Sequence, residues 1–223
     1  MSLMLYAAMG AATVPPASDP AFDPSAFVFT IRVENDGDWF TWPHRTGGVY
    51  DATFDWGDGS SDHVTAEPGA HVYASAGDYD VTVTGTCPAP IFGDAILQRM
   101  RSMLTDVVQW GSLAGATRWD RAFADCENIS AFSAADSFGS GVTIMSAMFD
   151  GATNFNSDIS GWDVSSVIHM NDMFRNANSF DQDLSGWCVL NVQPGLPLPG
   201  SSDWFADGSA LQPAHYPVWG TCP

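Results

Sequence analysis

The sequence predicts a mixed fold, in which an all-β sandwich at the N-terminus is followed by a short α/β solenoid with a C-terminal cap. Short alternating apolar segments, separated by Gly and Asp turns, fill residues 27–86 and are typical of an antiparallel sandwich. Beyond them, MSAMFDGATNFNSDISGWDVSSV at 145–167 returns as MNDMFRNANSFDQDLSGWCVLNV at 170–192, an offset of 25 residues. Such a period indicates a solenoid, because each unit buries its apolar face only against a neighbouring unit.

These patterns divide the 223 residues into four segments. Residues 1–24 form an arm rich in Ala and Pro, 25–90 the sandwich, 91–192 the repeat solenoid and 193–223 the cap. The arm is mildly apolar, but it has no Lys or Arg before its apolar part, where a secretory leader carries positive charge. We therefore expect the arm to dock on another protein.

Two segments of the sandwich alternate most clearly, FVFTIRV at 27–33 and DYDVTVTG at 78–85. Between them, Trp56 precedes Gly57 and Gly59, which permit a tight turn with positive φ. We expect Trp56 to anchor the core. The side chains predicted to point into that core from the two segments are Phe27, Phe29, Ile31, Val33, Tyr79, Val81 and Val83.

Four short motifs in this region resemble the PKD domain, a small immunoglobulin-like sandwich. They are FDWGDGS at 54–60, HVY at 71–73, GDY at 77–79 and VTV at 81–83. The resemblance implies that this segment is immunoglobulin-like and serves as an extracellular spacer or binding module.

Three carboxylates around the FDWGDGS turn admit two interpretations. Asp55, Asp58 and Asp62 could supply the oxygen ligands that a calcium ion prefers. Their spacing lacks the closing Glu of an EF-hand loop, and an Asp in a turn also accepts hydrogen bonds from nearby backbone N–H groups. The spacing favours turn capping, with calcium binding as the alternative.

Each repeat unit predicts a helix followed by a short extended return. In the second copy, Ser165 or Ser166 caps the helix start, and Asn176, Asn178 and Ser179 end it. The helical face predicted to be buried contains Val167, Met170, Met173, Phe174 and Ala177. Stacked copies would place Trp162 and Trp187 in equivalent interior positions.

Before the two clear copies, residues 94–104 predict another helix, which Asp94 can cap. A short strand follows at 107–111, and an eroded copy of the repeat begins at Trp119. The helical face predicted to be buried contains Ile96, Leu97, Met100, Met103 and Leu104.

The run from Met145 to Met170 follows the pattern MxxMFxxAxxFNxDIxxWDVSxVxxM almost letter for letter. It resembles the BspA-like surface-protein repeat, a relative of the leucine-rich repeat with a period of about 25 residues. The segment PVWGTCP at 217–223 is similar to the cap that ends such arrays. The resemblance implies an adhesive protein of a bacterial surface or a bacteriophage virion, without catalytic residues.

The charge balance excludes several kinds of partner. The chain has 26 acidic residues against seven basic ones, a net charge of −19, and no lysine. Nucleic acids and anionic membranes attract positive charge, so neither is an expected partner. Without lysine, the chain cannot form a P-loop or a Schiff base. It also lacks the run of about 18 apolar residues that a membrane-spanning helix needs.

Four cysteines are present, and none belongs to a CxxC pair of the kind that binds zinc. Cys188 and Cys222 could form a disulfide, which would close a loop of roughly 35 residues. Cys126 occupies the repeat position of small residues and is expected to be a buried thiol. Whether Cys126 pairs with Cys87 is left open.

No pattern of an active site is found, and we expect no enzyme and no cofactor. The five histidines lack HExxH spacing, and there is neither a GxSxG elbow nor a Cys–His signature. His71 is expected to be a hydrogen-bonded structural residue. Trp39, Trp42 and Trp204 could serve as platforms for sugars if they are exposed, although such residues more often belong to a core or a cap.

These observations favour a non-enzymatic protein for surface display and adhesion. The hypothesis is a bacteriophage virion component, such as a capsid decoration, head fibre or tail-associated protein. Its arm would bind other virion proteins, and its outer surface would bind a host cell-surface protein or glycan. Association of the chain as a homo-oligomer is a further expectation. The alternative is a secreted or cell-surface bacterial adhesin.

Overall fold

A computed structural model describes residues 23–44, 47–94, 98–113, 116–134, 138, 141–193 and 204–223. The predicted arm lies outside the described residues except for its last two. The elements are β1 (Phe27–Val33), β2 (Trp39–Phe40), β3 (Asp51–Asp55), β4 (Ser61–Val64), β5 (His71–Val72), β6 (Gly77–Thr86), α1 (Gln98–Met103), β7 (Leu104–Gln109) and a 3₁₀ turn (Pro213–His215).

The strands form two antiparallel sheets. The larger has the order β4-β3-β6-β1-β7, and the smaller pairs β2 with β5. In β1, Phe27, Phe29 and Ile31 are fully buried, because alternate side chains of a strand point to the same face. The prediction of an all-β N-terminal domain is thus confirmed.

Aromatic side chains from both sheets fill the sandwich core. Phe29 of the larger sheet lies 5.8 Å from Phe40 of the smaller sheet, measured between ring centroids. Trp56 is 1% exposed, and its carbonyl accepts a hydrogen bond of 3.1 Å from the hydroxyl of Tyr73. The expected core anchor, which directly follows β3, is therefore buried.

The fifth strand of the larger sheet comes from beyond residue 90. β7 pairs with β1, and the carbonyl of Val107 accepts a hydrogen bond of 3.0 Å from the N–H of Ala134 in the repeat region. Immediately before β7, α1 buries Met100 and Met103 within the predicted helix. Residues 98–109 therefore connect the sandwich to the repeats.

The segments predicted to be helices in the repeats are turns, so that prediction is wrong. We call residues 119–126, 145–152 and 170–177 the first, second and third coil. In each coil, two residues four positions apart have positive φ, which an α-helix does not tolerate. They are Arg121 and Asp125, Ala147 and Gly151, and Asp172 and Asn176.

Because of these positive φ values, every second N–H group of a coil points toward the neighbouring coil. In the second coil, the N–H groups of Met148 and Asp150 bond to carbonyls three residues earlier in the same coil. The N–H groups of Ala147, Phe149 and Gly151 bond instead to carbonyls of the third coil, at 2.7, 2.8 and 2.7 Å. We call this arrangement the backbone ladder; it also joins the first coil to the second.

Phenylalanine rings of successive coils stack on one another along the direction in which the backbone ladder runs. Phe149 lies 5.7 Å from Phe123 and 5.6 Å from Phe174, with interplanar angles of 15° and 5°. Phe92 extends this row toward the sandwich, 6.2 Å from Phe123. Trp162 and Trp187 are both buried as expected, at 8% and 1% exposure.

The C-terminal segment covers the third coil. Carbonyls of Trp204, Phe205 and Asp207 accept the N–H groups of Asp172, Phe174 and Asn176. A disulfide between Cys188 and Cys222 holds the end of the chain in place. Among the described residues, no helix has the length and apolar character to cross a membrane.

Candidate binding surface

The aspartates considered as calcium ligands each have a separate structural role. Asp55 accepts the N–H of Gly57 at 3.0 Å, and Asp62 accepts the indole N–H of Trp56 at 2.8 Å. Asp58 contacts Ser60 and the imidazole of His71. Within the described ranges, no group of three or more potential ligands could hold a metal ion. The turn-capping interpretation fits this geometry.

His71 packs between the turn and the core. Its ring stacks on Trp56 at 4.9 Å with an interplanar angle of 4°, and its Nε2 lies 2.9 Å from Asp58. Burial of Asp58 opposes ionisation, but the hydrogen bonds from Ser60 and His71 outweigh it and lower the pKa of this carboxyl. His71 is therefore placed as a structural residue.

The three tryptophans considered as sugar platforms occupy different environments. Trp42 is fully buried and contacts Phe54 at 5.4 Å, so its prediction as a sugar contact is wrong: it offers no face to a ligand. Trp204 is half-buried in the cap, 4.8 Å from Trp219. Trp39 is 41% exposed and is the one aromatic residue among the exposed large hydrophobic side chains of the described chain.

Trp39 begins β2 and is held from two sides. Across the small sheet it pairs with Val72, which is also exposed. The guanidinium of Arg99 in α1 lies 5.6 Å from the indole centroid, a cation–π contact. The same guanidinium lies 2.6 Å from Asp38, so an ion pair fixes it over the ring.

Asp38 and Arg99 also line a cleft of about 230 Å³, whose lining does not include Trp39. Asp38 accepts two hydrogen bonds from Asn35, and Arg32 makes a two-pronged contact with Asp78. Hydrogen bonds from Arg99 and Asn35 lower the pKa of Asp38 despite some desolvation. The cleft is lined by Arg32, Glu34, Asn35, Asp38, Arg99, Ser102 and Met103.

The sequence singled out Trp39 but missed its partners. Arg99 lies in a segment identified only by the helical spacing of its apolar residues, and Arg32 belongs to a strand defined by its apolar alternation. The scarcity of basic residues is the one sequence signal that could have drawn attention to them, since two of seven meet at one cleft.

The two remaining thiols are poor candidates for chemistry. Cys87 and Cys126 are free and buried. Burial raises the pKa of Cys87 to about 12 and also raises that of Cys126. A thiol of high pKa carries little of the nucleophilic thiolate form near neutral pH. Each thiol therefore acts as a small apolar side chain.

Comparison with known proteins supports the two-part organisation. Residues 11–90 match the family described as PKD domain, and residues 117–195 match the family described as Mycoplasma protein of unknown function, DUF285. No curated protein and no solved structure matches the chain. The two family matches are compatible with a surface or adhesion-type protein.

Proposed function

We propose that this chain is an extracellular display protein, in which the repeats form a short solenoid that supports the PKD-like sandwich for adhesion. The observation that carries the proposal is the backbone ladder. It satisfies N–H groups between coils as well as within them, which gives a regular stack instead of a set of independent loops.

Two further features support an extracellular role. Disulfides persist in oxidising environments such as the cell exterior, and Cys188–Cys222 fastens the cap to the last repeat. The net charge of −19 keeps a protein soluble and separate from other copies of itself. Both properties suit a protein exposed to a variable medium.

The detailed assignments belong to this proposal as well. We assign the repeats to the BspA-like class, because the sequence pattern and the 25-residue offset of the coils agree with it. The absence of catalysis stays a prediction. Attachment to a virion is also a prediction, and the arm at residues 1–24 would provide the attachment.

The test is labelling of intact cells and purified virions with an antibody raised against the purified chain. We expect labelling without lysis, and competition by the soluble protein should reduce attachment of the labelled cells or particles. Labelling of cells alone would select the bacterial adhesin, and labelling of virions the phage component. Signal that appears only after lysis would overturn the proposal.

A further inference from the structure

We infer that the outer edge of β4 binds a basic, extended segment of a partner protein, which adds a strand to the larger sheet. This inference rests on the proposed adhesive function and deepens it, because it names the chemistry of the partner and the site that holds it. β4 is an outermost strand of the larger sheet, and among the described residues no further strand lies beyond it.

The register of β3 and β4 determines which backbone groups of β4 point outward. The N–H of Trp56 donates to the carbonyl of Ser60 at 3.1 Å, so these two residues form a hydrogen-bonded pair. Bonded and non-bonded pairs alternate along an antiparallel ladder, so Ser61 and His63 direct their N–H and C=O groups away from β3. β4 therefore presents two donors and two acceptors along its outer edge.

The two edges of the larger sheet differ in their protection. At the edge formed by β7, the register shifts against β1, and the carbonyl of Val107 accepts the N–H of Ala134 from the repeats. β4 pairs with β3 without a shift, contains neither Pro nor Lys, and its first three residues are exposed. Bulges, covering segments, Pro and Lys are the usual devices that prevent an edge from pairing. The edge of β4 is short but open to strand addition.

The residues around this edge are acidic. Asp62 lies on β4 itself, and Asp55 of β3 is directly opposite Ser61. The side chain of Asp51 is 74% exposed and lies 3.4 Å from the imidazole of His63. Residues 51–67 contain neither Lys nor Arg, so within this stretch of sequence these carboxylates have no permanent cation to neutralise them. Complementary charge on a partner would steer it to this edge.

A second copy of this chain is a poor occupant of the edge. The antiparallel register that uses all outward groups of both copies would pair Ser61 of each copy with His63 of the other. Asp62 would then lie directly opposite its own counterpart, and like charges in that position are destabilising. Each copy also brings a net charge of −19. Charge therefore protects the edge against self-association and favours a partner rich in Lys or Arg.

The faces of the sheet set the pattern of the partner segment. Phe54 is fully buried, so Asp55 and Asp51 lie on the opposite face of β3, which is turned to solvent. His63 is on that same face, because it contacts Asp51. An added strand with Lys or Arg at every second residue would direct all its cations to this face. The expected partner segment is thus extended, with basic residues in alternation.

The experiment measures binding of the full chain to labelled peptides by fluorescence anisotropy at physiological salt. Three peptides of about eight residues, the length of a strand, alternate Val with Lys, Gln or Glu. A fourth is the Lys peptide with methylated backbone nitrogens, which keeps its charge but cannot donate to the edge. We expect the Lys peptide to bind best, and backbone methylation to weaken it at least about tenfold through the lost hydrogen bonds.

His63→Pro tests the edge of the protein directly. Pro removes the outward N–H of this residue but no donor of the ladder between β3 and β4, and Pro is tolerated at such edge positions. It should weaken binding of the Lys peptide at least about fivefold. His63→Ala is the matched control, because it removes the imidazole and keeps the N–H, so it should bind like the parent.

A second pair of variants tests the role of charge. The double variant Asp51→Asn, Asp55→Asn should bind the Lys peptide less tightly than the parent. Asp183→Asn removes a carboxylate from the repeats instead and should bind like the parent. Circular dichroism verifies that each variant is folded. Backbone methylation of the peptide is measured on the parent chain, so the test stays valid if His63→Pro does not fold.

Four results would overturn the inference. They are no binding of the Lys peptide at millimolar concentration, equally tight binding of the Gln or Glu peptide, binding that neither backbone methylation nor His63→Pro weakens, and equal binding by the double variant and Asp183→Asn. The third result would mean that the net charge of −19 attracts cations without a defined site. None of the four bears on labelling of intact cells or virions, so failure of this site and failure of the surface role are separate outcomes.

Discussion

The sandwich and the repeat stack bury their aromatic residues in different ways. In the sandwich, the angles between contacting rings vary widely, for example 77° between Phe27 and Trp42 and 4° between Trp56 and His71. In the stack, equivalent rings one period apart are nearly parallel, with 4° between Phe155 and Phe180. Repetition in sequence thus becomes translation in space, whereas the sandwich core depends on a unique set of shapes.

The backbone hydrogen bonds of the two regions differ in the same way as their aromatic rings. In the sandwich, antiparallel partners such as β1 and β6 are joined by ladder bonds between distinct sequences. In the first and second coils, alternate N–H groups bond to the next copy of the same pattern. A change in the second coil therefore meets a copy of the same pattern on each side, whereas a change in β1 meets two different sequences, those of β6 and β7.

The largest expected effect is the loss of a ring from either core. Phe149→Ala and Phe29→Ala should each lower the free energy of unfolding by about 3–5 kcal/mol, because both side chains are fully buried. Phe92 contacts rings of both regions, Phe29 and Phe123, so we expect one cooperative transition. Denaturant unfolding followed by circular dichroism measures this, and two transitions that respond separately would break the link between the regions.

Opening the disulfide, which lies in the stack, should have the next largest effect. Replacing Cys188 and Cys222 by Ser removes a cross-link across 34 residues and should cost about 3–4 kcal/mol through the entropy of the unfolded chain. Urea unfolding with and without reductant measures it. Reductant should have no effect on the double variant; a further loss there would mean that the cross-link is not the cause.

Acid should weaken the stack through its turn aspartates. Hydrogen bonds from serine hydroxyls and N–H groups lower the pKa values of Asp158, Asp163 and Asp183. The unfolded chain then binds protons more readily than the folded one, so this contribution is present above a pH of about 4 and is lost as the pH falls further. The unfolding free energy, measured between pH 6 and pH 2 or so, should decrease toward acid.

The triple Asp→Asn variant at these positions should show a shallower decrease, since an amide keeps the turn but does not titrate. Its stability at neutral pH should be lower than that of the parent, because the neutral amide oxygen is a weaker acceptor for these hydrogen bonds than the carboxylate. An unchanged slope would show that the acid sensitivity comes from elsewhere.

The smallest effect tests the conformation of the coils directly. Ala147 has a φ of 53°, which is costly for a residue with a side chain. Ala147→Gly should therefore be neutral or stabilising by less than about 1 kcal/mol, whereas the same change inside a helix costs about that amount. Thermal unfolding distinguishes a left-handed turn from a helix at this position. Ser146→Gly is the adjacent control and is expected to destabilise the protein. A loss of stability in Ala147→Gly would contradict the left-handed turn.

Much of the sandwich was predictable because its signals are local. Alternation in β1 and the turn after Trp56 depend on residues close in sequence, and both have structural counterparts. The conformation of the coils could not be predicted in this way, because apolar residues spaced three and four positions apart fit a series of turns as well as a helix. Asp125, Gly151 and Asn176 carry the one local hint, since these residue types tolerate positive φ better than most.

The cleft could be predicted only in part, for a different reason. An exposed tryptophan can be suspected from a polar neighbourhood such as that of Trp39. That α1 brings Arg99 over its ring is a consequence of tertiary packing, which no pattern within β2 encodes. Trp42 shows the opposite error. It lies only two residues beyond the end of β2, in a similar sequence environment, and yet it is fully buried.

The backbone ladder has a fixed polarity, because each coil donates toward the C-terminus and residues 204–207 accept from the last one. Duplicating a 25-residue unit inside the array would leave both end contacts intact and add one layer of about the 5.6 Å that separates Phe149 from Phe174. Gene duplication could thus adjust the reach of this protein in small equal increments, with neither the sandwich nor the C-terminal segment redesigned.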